Sequence, residues 1–231
     1  MAFDKDLEHV VRMVPGWDQV AAGKYVFLEG NPGGSPRILF LGNSITWHGP
    51  KAEIGWNGSW GMAASCREKD YVHLLISKIR DLHPDTGFCI TQGAIWERNI
   101  DSCDLAANYA AARDFAPDIV YFALGANTPS ENFDGALFQR CMQTLLNFIA
   151  EKSAQPKFII ATNYWNDPKT QALREFALES GYPLVDLSDS LAPEENRAIG
   201  RFSHEGVANH PGDLGMQRIA ERIWRVLEPL L

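Results

Sequence analysis

Ser44, Asn127 and His210 are the residues from which a reaction can be assembled. They occur in the motifs Gly42-Asn43-Ser44, Gly125-Ala126-Asn127 and His210-Pro211. A serine hydroxyl is a weak nucleophile at neutral pH and needs a neighbouring base. An imidazole is that base most often, because it exchanges its proton near neutrality. Backbone N–H groups and an asparagine amide are the donors that hold the negative oxygen of a tetrahedral intermediate. Together these parts carry out acyl transfer. Each motif alone also has a plainer reading, as a tight turn with a capping serine, a turn asparagine, or a structural histidine. Their joint placement after successive apolar runs favours the chemistry.

Five short apolar or β-branched runs supply the positioning, at residues 37–41, 88–91, 118–124, 157–162 and 183–187. Helical spacing separates them. Val72, Leu75, Ile76, Ile79 and Leu82 form one stripe over 70–82, and 105–115 is Ala-rich and stopped by Pro117. Leu137, Cys141, Leu145, Phe148 and Ile149 mark 137–150, Asp167-Pro168 opens a further helix that Gly181 ends, and 213–227 closes the chain. Alternating strands and helices predict an α/β fold with a doubly wound, five-stranded parallel sheet, a flavodoxin-like three-layer α/β/α sandwich. Ligands in such folds bind beyond the carboxyl ends of the strands. That rim holds Ser44, then Gln92-Gly93-Ala94, then Asn127, then Asn163-Tyr164-Trp165-Asn166, with Asp186 at the end of the fifth run. A flavoprotein of the same topology would need a phosphate-cradling loop after the first strand, for which Gly42-Asn43-Ser44-Ile45-Thr46 is short.

The domain is expected over 37–231. Residues 1–36 form an N-terminal extension packed on the core, with a short helix and an edge strand at 25–28. With 231 residues, 21 basic and 29 acidic side chains and a net charge of −8, the chain lacks the positive face of a nucleic-acid or membrane-surface binder. No run approaches the roughly 18 apolar residues of a membrane span, and no secretory signal pattern opens the chain, so the default compartment is the cytoplasm. The four cysteines show no C-x-x-C spacing and read as free thiols; no metal and no cofactor is expected.

These motifs resemble those of the SGNH (GDSL-like) hydrolases. Leu41-Gly42-Asn43-Ser44-Ile45-Thr46 is similar to the nucleophile motif, with Asn43 where that family usually has Asp. Gly125-Ala126-Asn127 matches the Gly-x-Asn motif, and His210-Pro211 matches the pair that starts the last helix. The resemblance spans about residues 37–227. It implies Ser44 as nucleophile and His210 as base, with the Ser44 N–H, the Gly93 N–H and the Asn127 side chain as oxyanion donors. The match at Gly93 is loose. The family places Asp three residues before the histidine, and here that position is Val207. The group that orients His210 is then either Glu205, as a displaced third triad member, or a backbone carbonyl, giving a Ser–His dyad. Asp213 suits a helix N-terminus better.

Seven tryptophans are many for this length. Trp47, Trp56, Trp60, Trp96 and Trp165 fall in expected rim loops, where indole faces stack on sugar rings, bury an acyl chain or pack loops together. Trp47, Trp60, Trp96 and Trp165 are the expected substrate contacts, and the long loop 49–69 is an expected pocket wall. The partner implied is a small ester, an acylated carbohydrate first. The expected activity is a carbohydrate O-acyl (acetyl) esterase acting through an acyl-enzyme. The alternatives are a short-chain carboxylesterase, thioesterase or lysophospholipase-type acylhydrolase, and a catalytically inactive sugar-binding module. Glu97 and His48 sit on rim loops, and His73 and His83 read as solvated.

Overall fold

The computed structural model describes residues 11–12 and 26–231. Its strands are β1 (Val11–Arg12), β2 (Val26–Gly30), β3 (Arg37–Gly42), β4 (Gly87–Gln92), β5 (Ile119–Ala123), β6 (Lys157–Ala161) and β7 (Leu184–Val185). The helices are α1 (Tyr71–Leu82), α2 (Ala94–Arg98), α3 (Leu105–Asp114), α4 (Gly135–Ala150), α5 (Pro168–Ser180), α6 (Glu205–Ala208) and α7 (Asp213–Leu227). Sheet order is β1-β2-β4-β3-β5-β6-β7. The five strands from β4 to β7 run parallel, in the order of a flavodoxin-like sheet.

The sheet is wider than the five strands expected. β2 adds antiparallel to the outer edge of β4, and β1 pairs with β2. A bare β4 would present a row of unpaired backbone groups; β2 covers it and buries Val26 and Phe27. The edge strand expected at 25–28 is this β2, and the short helix expected before it lies outside the described residues.

Alternation along β3 divides the core into two layers. Ile38 and Phe40 pack with Val72, Leu75 and Ile79 of α1 and Ile219 and Ile223 of α7. Leu39 and Leu41 pack on the other face with Trp96, Tyr109 of α3, Leu145 and Ile149 of α4 and Leu173 of α5. Helix starts are set by aspartates: Asp70, Asp104, Asp134 and Asp167 each accept the N–H three residues on, a cap worth about 1 kcal/mol. Gly181 ends α5 at φ 68°, a left-handed conformation that favours glycine.

One expectation on α1 is reversed. His73 is buried, not solvated, with Nδ1 2.8 Å from Asp70 and Nε2 3.1 Å from Glu29, which also pairs with Arg67. The strand that closes the sheet edge brings Glu29 against α1, and the histidine neutralises it. No helix among the described residues is long and apolar enough to cross a membrane.

Candidate active site

The site lies where the parallel strand order switches, over the ends of β3 and β5. Beyond Gly42 the chain turns tightly, with the Asn43 carbonyl accepting the Thr46 and Trp47 N–H groups at 3.0 Å. Only glycine fits at 42, because a Cβ there would collide with the Thr46 side chain. The turn lifts Ser44 off the sheet, and the Ser44 N–H makes no hydrogen bond to the described residues.

Ser44 Oγ lies 2.8 Å from His210 Nε2, although 166 positions separate them. The other ring nitrogen, Nδ1, is 2.6 Å from the Gly206 carbonyl oxygen. A carbonyl only accepts, so Nδ1 carries the proton and Nε2 offers its lone pair to the serine hydroxyl. Burial holds the His210 imidazole below the ordinary histidine value, and the bond to Gly206 partly offsets that shift.

The segment just before His210 folds as α6. Its turns close with the Val207 and Ala208 N–H groups on the His204 carbonyl and the His210 N–H on the Val207 carbonyl, each at 3.0 Å. This turn points the Gly206 carbonyl at the imidazole and leaves Glu205 exposed, without a bond to it. Val207, at the position where an aspartate would stand, is buried against Trp56, Met62, Ala63 and Ala198. Asp213 faces elsewhere, accepting from the Ser65 N–H and hydroxyl at 2.8 Å.

Glu97 holds the centre of the site, and sequence reasoning ranked it only among rim residues. It is fully buried on α2. Its carboxylate accepts four N–H groups: Gly125 N at 2.7 Å, Asn127 N at 3.2 Å, Asn127 Nδ2 at 2.5 Å and Asn43 Nδ2 at 3.2 Å. Burial raises its pKa, against the pull of those bonds. The signal in the sequence was slight: an acid inside Ala-Ile-Trp-Glu-Arg, directly after a strand end.

Gly93 departs from its expected role. Its N–H donates to the Gly42 carbonyl at 2.7 Å, continuing the ladder between β3 and β4. Of the expected donors, the Ser44 N–H and the second hydrogen of Asn127 Nδ2 make no hydrogen bond to the described residues.

The tryptophans divide by environment. Trp47 and Trp96 are 2% and 1% exposed, so these two expected substrate contacts belong to the core. Trp60 is partly buried, stacked edge-on to Trp56, with Nε1 donating to Ala64. The loop 49–69 is stitched together by bridges between His48 and Trp60 and between Lys51 and Trp56. Two indoles also donate to backbone across it, Trp47 to Ser59 at 2.9 Å and Trp56 to His48 at 3.0 Å. Trp165 alone of the expected contacts is open, 49% exposed. It borders a cavity of about 350 Å³ with Tyr164, Ser188, Leu191, Arg197 and Asn209, the residue before His210. His48 is buried with Nδ1 2.6 Å from the Gly49 carbonyl, and burial lowers its pKa to about 4. Asp186 is paired with Arg174 at 3.0 Å.

No protein-family model and no curated protein matches the chain. Solved structures do. TesA superposes with a TM-score of 0.57 at 20% identity, over 84% of this chain and 99% of TesA. A member of the lipolytic protein G-D-S-L family from Veillonella parvula gives 0.51 at 15% identity, over 83% and 98%. The chain shares its fold with both of these proteins. An acetylxylan esterase with this fold, Axe2 from Geobacillus stearothermophilus, gives 0.54 at 18% identity, over 85% of this chain and 96% of Axe2.

Proposed function

We propose that the protein is a serine esterase that removes small acyl groups, acetyl first, from a carbohydrate. The observation that carries this reading is the Ser44 Oγ–His210 Nε2 contact of 2.8 Å, with the imidazole tautomer fixed by Gly206. Ser44 Oγ attacks the ester carbonyl carbon while its proton passes to His210 Nε2. The carbonyl oxygen becomes an oxyanion, held by the Ser44 N–H and the free hydrogen of Asn127 Nδ2. The tetrahedral intermediate collapses, Nε2–H protonates the departing sugar oxygen, and an acetyl group remains on Ser44. Water, deprotonated by the same nitrogen, then attacks the acyl carbon, and acetate leaves as Nε2–H returns its proton to Ser44 Oγ. The imidazolium formed at each step is steadied by the Gly206 carbonyl dipole, where a triad would supply a carboxylate.

The carbohydrate part of the reading is supported by the open indole of Trp165 beside a cavity of about 350 Å³. An exposed aromatic face suits a sugar ring. The acetylxylan esterase and a two-domain esterase active on acetylated mannans share the fold. Four free cysteines fit a reducing compartment such as the cytoplasm.

The test compares wild type with Ser44→Ala on p-nitrophenyl acetate, butyrate and octanoate, and on an acetylated xylo-oligosaccharide. Hydrolysis of the acetate and of the oligosaccharide by wild type alone supports the proposal. Preference for octanoate would make the protein a longer-chain acylhydrolase, and no hydrolysis of any ester would leave a sugar-binding module.

A further inference from the structure

We infer that Glu97 is a positioning residue for catalysis: its buried carboxylate locks the Asn127 amide and the Ser44 turn into one rigid oxyanion-binding unit. The role presupposes ester hydrolysis as proposed above, but the geometry behind it does not.

The inference rests on what a side-chain amide needs in order to work as an oxyanion donor. The χ2 torsion of asparagine is a broad, soft rotation about an sp³–sp² bond, so no rotamer preference fixes where its N–H bonds point. Asn127 Nδ2 has two hydrogens. One is committed to Glu97 Oε2 at 2.5 Å, and the Asn127 backbone N–H to Oε1 at 3.2 Å. With one hydrogen and the backbone pinned to the same carboxylate, the amide plane is set, and the second hydrogen has a single direction. The O and N ends of the amide are also distinguished, since only nitrogen can donate to a carboxylate.

Glu97 acts on the nucleophile's side too. Asn43 Nδ2 donates to Glu97 Oε1 at 3.2 Å, and Asn43 is the residue before Ser44, 3% exposed. Its Oδ1 accepts the N–H of Ile45, the residue after Ser44, at 3.3 Å. The Gly125 N–H, at 2.7 Å, ties in the start of the Asn127 turn. One carboxylate thus bridges the turn after β3 and the turn after β5. Ser44 and Asn127 depend on that bridge for their separation. The asparagine at 43 fits this arrangement: an aspartate there would set a second carboxylate against Glu97, whereas the amide donates to it.

All four partners of the carboxylate are donors. Tyr109 and Tyr164, whose hydroxyls feel the Glu97 charge, are held neutral by burial. A glutamine at 97 would offer one acceptor oxygen instead of two and turn an NH₂ group towards N–H donors. The expected consequence is a mis-set amide at Asn127 rather than a lost substrate contact.

The experiment is a double-mutant cycle on p-nitrophenyl acetate hydrolysis. Glu97→Gln should lower kcat by about tenfold or more with KM changed little, within the roughly 10²–10³ that loss of a whole oxyanion donor costs. In an Asn127→Ala background, Glu97→Gln should lower kcat by clearly less than in the wild type, since one of the two groups it positions is gone. Unchanged kcat, or the same loss in both backgrounds, overturns the inference. Nuclear magnetic resonance of the wild type decides the geometry independently of folding in the variants and of any esterase activity. One Asn127 Nδ2 hydrogen should resonate downfield and exchange slowly while its geminal partner exchanges fast. Two fast-exchanging hydrogens would overturn the inference, whereas failure of wild type to hydrolyse any ester would sink the esterase proposal alone.

Discussion

His210 Nδ1 lies 2.6 Å from the backbone carbonyl of Gly206, so a main-chain oxygen holds the imidazole that faces Ser44. Such an acceptor fixes tautomer and ring orientation but brings no full charge. It is available because α6 turns the chain there and leaves the Glu205 side chain in solvent. Glu205→Gln is expected to retain most ester hydrolysis, within about threefold, and His210→Ala to lose about 10³-fold or more. Steady-state kinetics on p-nitrophenyl acetate check both. A loss of several orders of magnitude in Glu205→Gln, with the fold intact, would restore the carboxylate to the catalytic group.

The pH profile follows from the same imidazole. Burial lowers the His210 pKa, so the neutral form, which in the proposed reaction takes the Ser44 proton, persists below the ordinary value of 6.5. His48 feels the His210 charge, and with its own pKa lowered to about 4 it stays neutral across that range. The acid limb of kcat/KM should therefore have its midpoint below 6.5. A midpoint above that value would mean that the imidazole is stabilised as a cation, as a neighbouring carboxylate would do.

Exposure separates the tryptophans into two mutational classes. Trp96, 1% exposed and edge-on to Phe122 at 5.8 Å, is core; Trp96→Ala should cost about 3–5 kcal/mol of stability. Trp165→Ala should leave the melting temperature within about 2 °C, because surface changes stay near ±0.5 kcal/mol. It should raise KM for an acetylated oligosaccharide more than for p-nitrophenyl acetate. Equal KM effects on the two substrates would rule out Trp165 as a sugar contact.

Stability has its own pH dependence, set by the buried cluster of Glu29, Arg67, Asp70 and His73. Burial alone would lower the His73 pKa, but Asp70 and Glu29 overcome it and raise it from 6.5 to about 9. The stabilisation that comes with the protonated ring is complete below 6.5 and is lost as pH rises through about 9. Glu29 works in the opposite sense. Burial would raise it, yet His73 and Arg67 hold it at about 2, so its contribution is present above 4.5 and lost as pH falls towards 2. Thermal melts should show the wild type weakening between pH 7 and 9 and His73→Gln weakening less over that range. Parallel curves would contradict the assignment. Arg67→Met should cost about 3–5 kcal/mol, since it removes a partner from the buried Glu29.

The residues of the site and the order of its scaffold were legible in the sequence because both rest on local pattern. Helical and strand periodicities gave the alternation of β3 to β7 with the helices, and in such a sheet the strand ends mark the rim. Ser44, Asn127 and His210 stood out by their place at the strand ends, and the roles proposed for them are those the family resemblance implies. Local pattern says nothing of which partner a polar group meets across the fold. That His210 bonds Gly206 rather than Glu205 depends on the path of the turn through α6. The Gly93 N–H is consumed because β3 and β4 pair one residue further than the apolar runs reach. His73 is buried because β2, far from it in sequence, closes the sheet edge and sets Glu29 against α1. Glu97 had no motif to mark it; only the convergence of the turns after β3 and β5 on its carboxylate makes it central. Sequence fixed the chemistry available at the strand ends, and tertiary packing decided which donors remain free to act, because each buried hydrogen-bonding group must find its partner in three dimensions.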